Sequence, residues 1–134
     1  MRPPLFAYGT LQFPVIIEVV IGRVPAMIAA TASDHEVRHI PGVQYPGLVS
    51  VPGGSASGVL IGDLSEMEWS LLDEYEDAFY SLDDIVVCSN GNARVASAYR
   101  VPLSMVSSDY WDPGLFEARY LDVFVGEIRR ELRP

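Results

Sequence analysis

Cysteine is nearly absent from this sequence, because Cys88 is the single one among 134 residues. One cysteine cannot form an internal disulfide, which excludes the disulfide-rich class of small secreted domains. The sequence places neither His35 nor His39 near Cys88, so a catalytic cysteine would have no evident partner. We expect Cys88 to be a buried structural thiol rather than a nucleophile.

Basic residues are also few, 9 against 18 acidic residues, and the formal net charge is −9. Their only dense group is three arginines near the C-terminus, Arg129, Arg130 and Arg133. Nucleic acids and anionic membrane surfaces bind clustered positive charge. We therefore expect neither of them as a partner.

Apolar runs long enough to cross a bilayer are missing as well. The longest, residues 14–21, contains Glu18 and stops at Gly22, whereas a spanning helix needs about 20 apolar residues. No signal-peptide core follows the first residues, so the cytoplasm is the expected location. The length and the 49% hydrophobic content suit one globular domain over residues 1–134.

The elements that are present begin with a short strand and a turn. Residues 5–8 are apolar or aromatic and end at Gly9, which predicts a buried strand and then a tight turn over Gly9-Thr10-Leu11. Pro14 is suited to open a helix that Gly22 closes. Further strands are predicted at residues 26–32, 35–40, 47–51 and 58–61, with a hairpin loop at Pro52-Gly53-Gly54-Ser55.

A capped helix and a hairpin follow in the second half. Ser65 and Glu68 form a capping-box pattern, which predicts a helix from Ser65 to about Glu76. Asn90-Gly91 is the strongest hairpin signal in the chain. It joins two predicted strands, residues 82–88 and 93–101.

A C-terminal helix is predicted over residues 112–132, with Asp112 and Pro113 at its start. Its apolar stripe consists of Leu121, Phe124, Val125 and Ile128. The chain is thus mostly strands, with one helix inserted midway and another at the end. This order indicates an α+β fold, a small mixed β-sheet or barrel with flanking helices.

Glu76 differs from the other acids of the middle helix. On a wheel of about 100° per residue, it falls four residues after Leu72 and seven after Trp69, at the border of the apolar face. A desolvated carboxyl group has a raised pKa and can accept and return a proton near neutral pH. Geometry alone leaves two interpretations, a general base or a helix end that pairs with an arginine or a backbone amide. The apolar stripe itself is predicted to contain Leu71, Leu72, Tyr75 and Phe79.

The segment from His35 to His39 has the H-E-x-x-H pattern of zinc proteases. That pattern needs a helix, because only there do side chains four residues apart lie within about 5–6 Å. Here the flanking residues alternate as in a strand and Pro41-Gly42 ends any helix, so the two rings would lie about 13 Å apart. A zinc hydrolase built on these histidines is therefore a distant alternative, and no metal is expected.

Several motifs together resemble the γ-glutamyl cyclotransferase-like family. In chain order they are Phe6-Ala7-Tyr8-Gly9-Thr10-Leu11, Tyr45-Pro46-Gly47-Leu48, Gly58-Val59-Leu60 and the block from Leu72 to Tyr80. Their order and spacing agree with the family from residue 5 to about 101. Tyr110-Trp111-Asp112 before a long helix is similar to the plant avirulence-induced branch.

The resemblance implies a small β-barrel with its site in a cavity and a reaction that releases 5-oxoproline from a γ-glutamyl amine or amide, without metal or organic cofactor. It assigns the catalytic glutamate to Glu76 and the substrate loop to Tyr8, Gly9, Thr10 and Leu11. Tyr80 and Tyr99 also match family tyrosines. We expect them either to line the cavity and orient Glu76 or to be buried in the core with their hydroxyl groups bonded locally.

Two residues depart from the family pattern. Ser81 stands where an arginine commonly follows the position of Tyr80, and Gln12-Phe13-Pro14 is unusual after the loop. The sequence therefore favours a cyclotransferase acting on a small γ-glutamyl substrate, with a second hypothesis that Ser81 marks a member that binds such compounds without turning them over. Neither the leaving amine nor the oligomeric state follows from the sequence.

Overall fold

The computed structural model describes residues 2–132, in which five strands close into a barrel that is flanked by four α-helices and two short 3-10 helices. In chain order the elements are β1 (Leu5–Ala7), a 3-10 helix (Thr10–Gln12), α1 (Pro14–Ile21), β2 (Ile28–His39), β3 (Pro46–Ile61), α2 (Glu66–Tyr75), β4 (Ser81–Ser89), β5 (Asn92–Arg100), a second 3-10 helix (Leu103–Met105), α3 (Pro113–Arg119) and α4 (Leu121–Leu132). The predicted α+β barrel with flanking helices is confirmed.

The barrel is closed by the N-terminal strand. The strand order is β1-β3-β2-β4-β5, and β1 pairs antiparallel with β3 on one side and parallel with β5 on the other, where Leu5 lies opposite Ser97. A parallel pairing of Leu48 with Arg100 also joins β3 to β5. The joint between β2 and β4 is short, a single pairing of Thr31 with Cys88.

Alternation along the strands produces two apolar layers. One face of each strand fills the barrel, as Phe6, Leu48 and Ala98 do. The opposite face of β1 and β5 is covered by the helices, where Ile16 and Phe116 are buried. A position on β1 therefore contacts either the barrel interior or the helical layer, according to its parity.

Several local predictions are confirmed by backbone geometry. The helix from Pro14 ends at Gly22, which has a φ of 89° and is the left-handed C-cap. Asn90 and Gly91 both have positive φ between β4 and β5, as a tight hairpin turn requires. The capping box at Ser65 is present, with hydrogen bonds of 3.1 Å and 3.0 Å between Ser65 and Glu68.

The hairpin loop predicted at Pro52-Gly53-Gly54-Ser55 is wrong. Residues 46–61 form one strand, and β2 likewise runs continuously through the predicted gap between residues 32 and 35. Four residues of β3, 51–54, bulge opposite Asp34, since Ser33 pairs with Ser55 and His35 with Ser50. The Gly53 amide donates to the Asp34 carboxylate at 2.9 Å, so the polar cluster bends a long hairpin instead of ending a strand.

The C-terminal helix predicted over residues 112–132 is divided in two. Asp112 caps α3 as expected, because its carboxylate accepts from the Gly114 amide at 2.8 Å. Tyr120 leaves helical geometry, with φ −125° and ψ −17°, and α4 starts after it. No helix within residues 2–132 is long and apolar enough to span a bilayer.

The expectation of a buried Cys88 is also wrong. Ile85 and Val87 of β4 face the barrel interior, so Val86 and Cys88 point to the other face and are exposed. The exposure of Cys88 depends on which residues of β4 face the barrel interior, and the sequence pattern did not predict this.

Candidate active site

A cavity of about 260 Å³ lies between β1 with the turn after it, the start of β3, the end of α2 and the inner face of α4. All seven residues predicted for the site line it: Tyr8, Gly9, Thr10, Leu11, Glu76, Tyr80 and Tyr99. Segments far apart in the sequence therefore form one chamber.

Glu76 enters this cavity because α2 stops one residue before it. Its amide donates to the Leu72 carbonyl at 3.1 Å, and its backbone is extended, with φ −75° and ψ 139°. Burial, with smaller contributions from the charges of Asp77 and Asp73, raises the pKa of Glu76 to about 8. No hydrogen bond or ion pair within residues 2–132 involves its carboxyl group, so the predicted pairing with an arginine is not found there.

Five tyrosines surround this carboxyl group. Burial raises the pKa of each phenol, and the charge of Glu76 raises it further, in Tyr8, Tyr45, Tyr75, Tyr80 and Tyr99. The phenols therefore stay protonated over the physiological pH range. They line the cavity with neutral hydroxyl groups and aromatic rings.

The tyrosine hydroxyl groups are bonded to other partners. The Tyr8 hydroxyl donates to the Tyr99 carbonyl at 2.5 Å, and the Tyr99 hydroxyl donates to Asp73 at 2.7 Å. The Tyr80 hydroxyl donates to the Pro46 carbonyl at 2.6 Å. These bonds hold the rings in place and leave the Glu76 carboxyl free to meet a ligand.

Thr10 and Tyr45 complete the hydroxyl network. The Thr10 hydroxyl and the Tyr75 hydroxyl share a hydrogen bond of 2.8 Å, which ties the turn after β1 to the last residue of α2. The Tyr45 hydroxyl donates to Asp77. The turn after β1 is thus bonded to Tyr75, the residue directly before Glu76.

The turn after β1, residues 9–11, lines the cavity. It is a 3-10 helix with Gly9 at its N-cap and no side-chain cap, and the first amides of any helix have no partner inside it. A Cβ on Gly9 would lie 3.0 Å from the ring of Pro46, so a side chain there would press on the cavity wall. Gln12, a departure from the family pattern, donates to the Tyr8 carbonyl at 2.7 Å and fastens the turn.

The family model described as "Gamma-glutamyl cyclotransferase, AIG2-like" matches residues 5–113. The chain belongs to this family. The match includes β1, the turn, Glu76 and Tyr99, and it ends before α4.

Known relatives of this γ-glutamyl cyclotransferase-like chain include AIG2-like protein C of Arabidopsis thaliana, 31% identical over 83 residues, which are 62% of this chain and 48% of that protein. The chain spans about half the length of the curated relatives it matches.

Solved structures with the same fold include an Arabidopsis thaliana protein determined in solution, with a TM-score of 0.72 and 20% identity over 98% of this chain and 82% of that one. A γ-glutamyl cyclotransferase has a TM-score of 0.64 and 15% identity over 94% of this chain and 85% of that one.

Ser81, the second departure from the family pattern, does not line the cavity. It is exposed at the start of β4 and pairs across the sheet with Arg100. Because successive residues of β5 point to opposite faces, Arg100 and Ser81 lie on the face opposite Tyr99. The structure therefore gives no reason to connect Ser81 with loss of turnover.

The sequence missed several residues that line the cavity, namely Tyr45, Glu74, Tyr75, Asp77, Phe124, Glu127, Ile128 and Glu131. Tyr45 stood in a family motif and Tyr75 on the apolar stripe, so both carried a signal. Phe79, by contrast, was predicted on that stripe but lies beyond the helix and is exposed. For Glu127 and Glu131 no signal in the sequence indicated a place in the cavity, because a helix wheel assigns such glutamates to solvent.

The H-E-x-x-H segment forms the end of β2, so its helical geometry is absent. His35 points back to its own strand, where its Nδ1 lies 3.0 Å from the Ser33 carbonyl. Within residues 2–132, no three His, Cys, Asp or Glu side chains are grouped as metal ligands. The zinc hydrolase alternative lacks the geometry it needs.

Proposed function

We propose that this chain is a cyclotransferase that releases 5-oxoproline from a small γ-glutamyl amine or amide, with Glu76 as general acid and base. One observation carries the proposal: the Glu76 carboxyl has a pKa of about 8, faces the cavity, and has no partner within residues 2–132. A carboxyl group in this state accepts and returns a proton near neutral pH.

One proton is moved in this reaction. The substrate's neutral α-amino nitrogen attacks its own γ-carbonyl carbon, and Glu76 takes a proton from that nitrogen. The tetrahedral intermediate then collapses, the bond from carbon to the amide nitrogen breaks, and Glu76 returns the proton to the departing nitrogen. The products are a five-membered lactam and a free amine, and Glu76 ends in its starting state.

Anionic parts of the substrate need donors that carry no full charge, because no arginine among residues 2–132 lines the cavity. The uncapped turn at Gly9, Thr10 and Leu11 supports this role. Its amides suit the oxyanion of the intermediate or the α-carboxylate, and they need no movement to donate. Holding the γ-glutamyl chain curled in a small cavity would favour ring closure by proximity alone.

Replacing Glu76 with Gln tests the proposal, because the amide keeps the shape of the side chain but cannot accept the proton. We expect kcat for 5-oxoproline release from a panel of γ-glutamyl amines to fall by about 100-fold or more. Chromatographic detection of 5-oxoproline measures this directly. Glu66→Gln, an exposed acid in the first turn of α2 that does not line the cavity, is the matched control.

Turnover by Glu76→Gln at the rate of the Glu66→Gln control would contradict the mechanism. If the unaltered chain bound a γ-glutamyl compound but released no 5-oxoproline, the binding-module hypothesis would replace it.

A further inference from the structure

The phenols around Glu76 donate their protons to other groups. A phenol has one proton to donate, and four of the five tyrosines donate it to a partner other than Glu76. The acceptors are the Tyr99 carbonyl for Tyr8, Asp77 for Tyr45, the Pro46 carbonyl for Tyr80 and Asp73 for Tyr99. The fifth, Tyr75, shares a hydrogen bond with Thr10. The Glu76 carboxyl thus lies among hydroxyl groups, yet no hydrogen bond reaches it within residues 2–132.

Asp73 is the acceptor that can be changed without altering the backbone or the cavity lining. Two of the four acceptors are backbone carbonyls, and Asp77 lines the cavity beside Glu76. Asp73 lies on α2, three residues before Glu76, and does not line the cavity. It accepts from the Tyr99 hydroxyl at 2.7 Å, whereas Tyr99 is buried and does line the cavity. Asp73 therefore acts on the site from outside, through Tyr99.

The N-terminal segment holds Asp73 from its other side. Arg2 Nη1 lies 3.4 Å from Asp73 Oδ2, whereas the Tyr99 hydroxyl bonds to Oδ1, so each carboxylate oxygen has its own partner. The Arg2 guanidinium also lies 4.9 Å from the centroid of the Trp69 ring, on the same helix as Asp73. An exposed ion pair of this kind adds little stability. Its effect here is to orient the carboxylate.

We propose that Asp73 is a positioning residue that keeps the proton of the Tyr99 hydroxyl away from Glu76. This inference rests on the proposed function, because it explains how the carboxyl group that moves the substrate's proton stays free of a donor. A phenol that donated to Glu76 would stabilise its charged form, lower its pKa and weaken it as a base. The charge of Asp73 acts in the same direction, since it raises the pKa of Glu76.

Other titratable groups also face Glu76 across the cavity. They are Tyr8, Tyr45, Glu74, Tyr75, Asp77, Tyr80, Tyr99, Glu127 and Glu131. Within residues 2–132, no arginine or histidine lines the cavity. Variants at position 73 leave all of these groups in place, so a difference between two such variants reports on Asp73 and on the hydroxyl that it binds.

Two replacements separate the charge of Asp73 from its hydrogen bond. Asp73→Asn loses the charge but keeps an oxygen that accepts from Tyr99, whereas Asp73→Ala loses both and frees the phenol proton. NMR of protein labelled at the glutamate carboxyl carbons follows the titration of Glu76, whose signal is assigned by its absence in Glu76→Gln. We expect the midpoint in Asp73→Ala to lie about one pH unit below that in Asp73→Asn. Glu66→Gln, at an exposed position of the same helix, should leave the midpoint unchanged.

Tyr99→Phe provides a second, independent measurement. With no phenol proton to release, Asp73→Ala and Asp73→Asn made in this background should give the same midpoint. Tyr99→Phe alone should not raise the midpoint, because the lost hydroxyl does not donate to Glu76. A rise of about one pH unit in Tyr99→Phe would overturn the inference. Equal midpoints for Asp73→Ala and Asp73→Asn with Tyr99 intact would overturn it as well. Circular dichroism checks that each variant is folded, and Tyr99→Phe decides alone if Asp73→Ala is not.

Turnover separates this inference from the proposed function. The pH profile of kcat/KM for 5-oxoproline release should move with the NMR midpoint, since it reports the ionisation of the free enzyme's base. KM should change little, because Asp73 does not line the cavity. Different midpoints in Asp73→Ala and Asp73→Asn without any release of 5-oxoproline would support the positioning role and contradict the proposed function. Release of 5-oxoproline with equal midpoints in the two variants would do the reverse.

Discussion

Glu76 is the residue whose ionisation folding changes most clearly. The wheel predicted that it lies at the border of the apolar face, but it could not predict the depth of burial. That depth comes from the break in the helix after Tyr75, which turns the chain toward the barrel, and from Tyr45, just before β3, and Tyr99 of β5. A single helix pattern contains no information on residues that pack against it from elsewhere.

Because the pKa of Glu76 rises from 4.5 to about 8 on folding, the stability of the protein should depend on pH. Between these values the unfolded chain has released the proton and the folded chain retains it, so rising pH favours unfolding. The stability given by the neutral carboxyl group is complete below pH 4.5 and is lost as pH rises through 8.

Glu76→Gln removes this dependence. We expect the variant to gain stability over the unaltered chain as pH rises from 5 to 8, by about 1 kcal/mol per pH unit. Urea unfolding at pH 5, 6.5 and 8 measures the difference. A difference that is the same at all three pH values would show that the carboxyl group is not desolvated.

Helix α2 connects local sequence chemistry to the site. Its N-terminus is held by the capping box and by Arg23, which pairs with Glu68 at 2.6 Å and lowers the pKa of that carboxyl group to about 2. Its C-terminus delivers Glu76. Start signals of this kind lie within four residues, so the sequence predicted this helix well. The bulge at Asp34 depends on a partner about twenty residues away, and the sequence missed it.

Ser65→Ala should weaken α2 at its start. Loss of the side-chain cap on the Glu68 amide is expected to lower the free energy of unfolding by about 1 kcal/mol. The urea midpoint should fall with an unchanged slope. Ser70→Ala, an exposed serine in the middle of the same helix, is the control and should have little effect. Equal midpoints for the two variants would argue against a contribution from the cap.

At the scale of the whole molecule, the seam between β1 and β3 closes the barrel and holds the turn at the cavity. Gly58 lies on this seam, and a Cβ there would be 2.5 Å from the Ala7 carbonyl oxygen and 3.0 Å from the ring of Phe6. Backbone at that distance cannot move without opening the strand pair. Close packing against β1 therefore explains why a glycine stands at position 58 of this family motif.

Gly58→Ala should lower the free energy of unfolding by about 1–3 kcal/mol, since overpacking at a closed seam displaces backbone. Thermal and urea unfolding report the change. Gly62→Ala is the control, because its Cβ would meet nothing within 4 Å and its φ is not in the left-handed region. A Gly58→Ala protein as stable as the Gly62→Ala protein would contradict the close approach of β1 and β3.

The sequence predicted the barrel class because turns, caps and alternation are local, and it assigned the seven site residues through family motifs. It left out the acidic face of α4, since Glu127 and Glu131 look like any solvated glutamates until the barrel brings β1 beneath them. The face of β4 on which Cys88 lies could not be predicted either, because Val86 and Val87 before it are both apolar and show no alternation. Which face a side chain occupies is decided here by strands and helices that are distant in the sequence.

Two of the cavity walls come from residues 5–11 and from α4, which ends at residue 132. A chain emerging from the ribosome carries the first of these segments early, yet it cannot complete the chamber until the second has emerged and docked. Contacts of such long sequence separation form late and slow the search for the folded state. A ligand that spans the chamber would bind only after this docking. Protection from proteolysis by that ligand would therefore report the docking of α4.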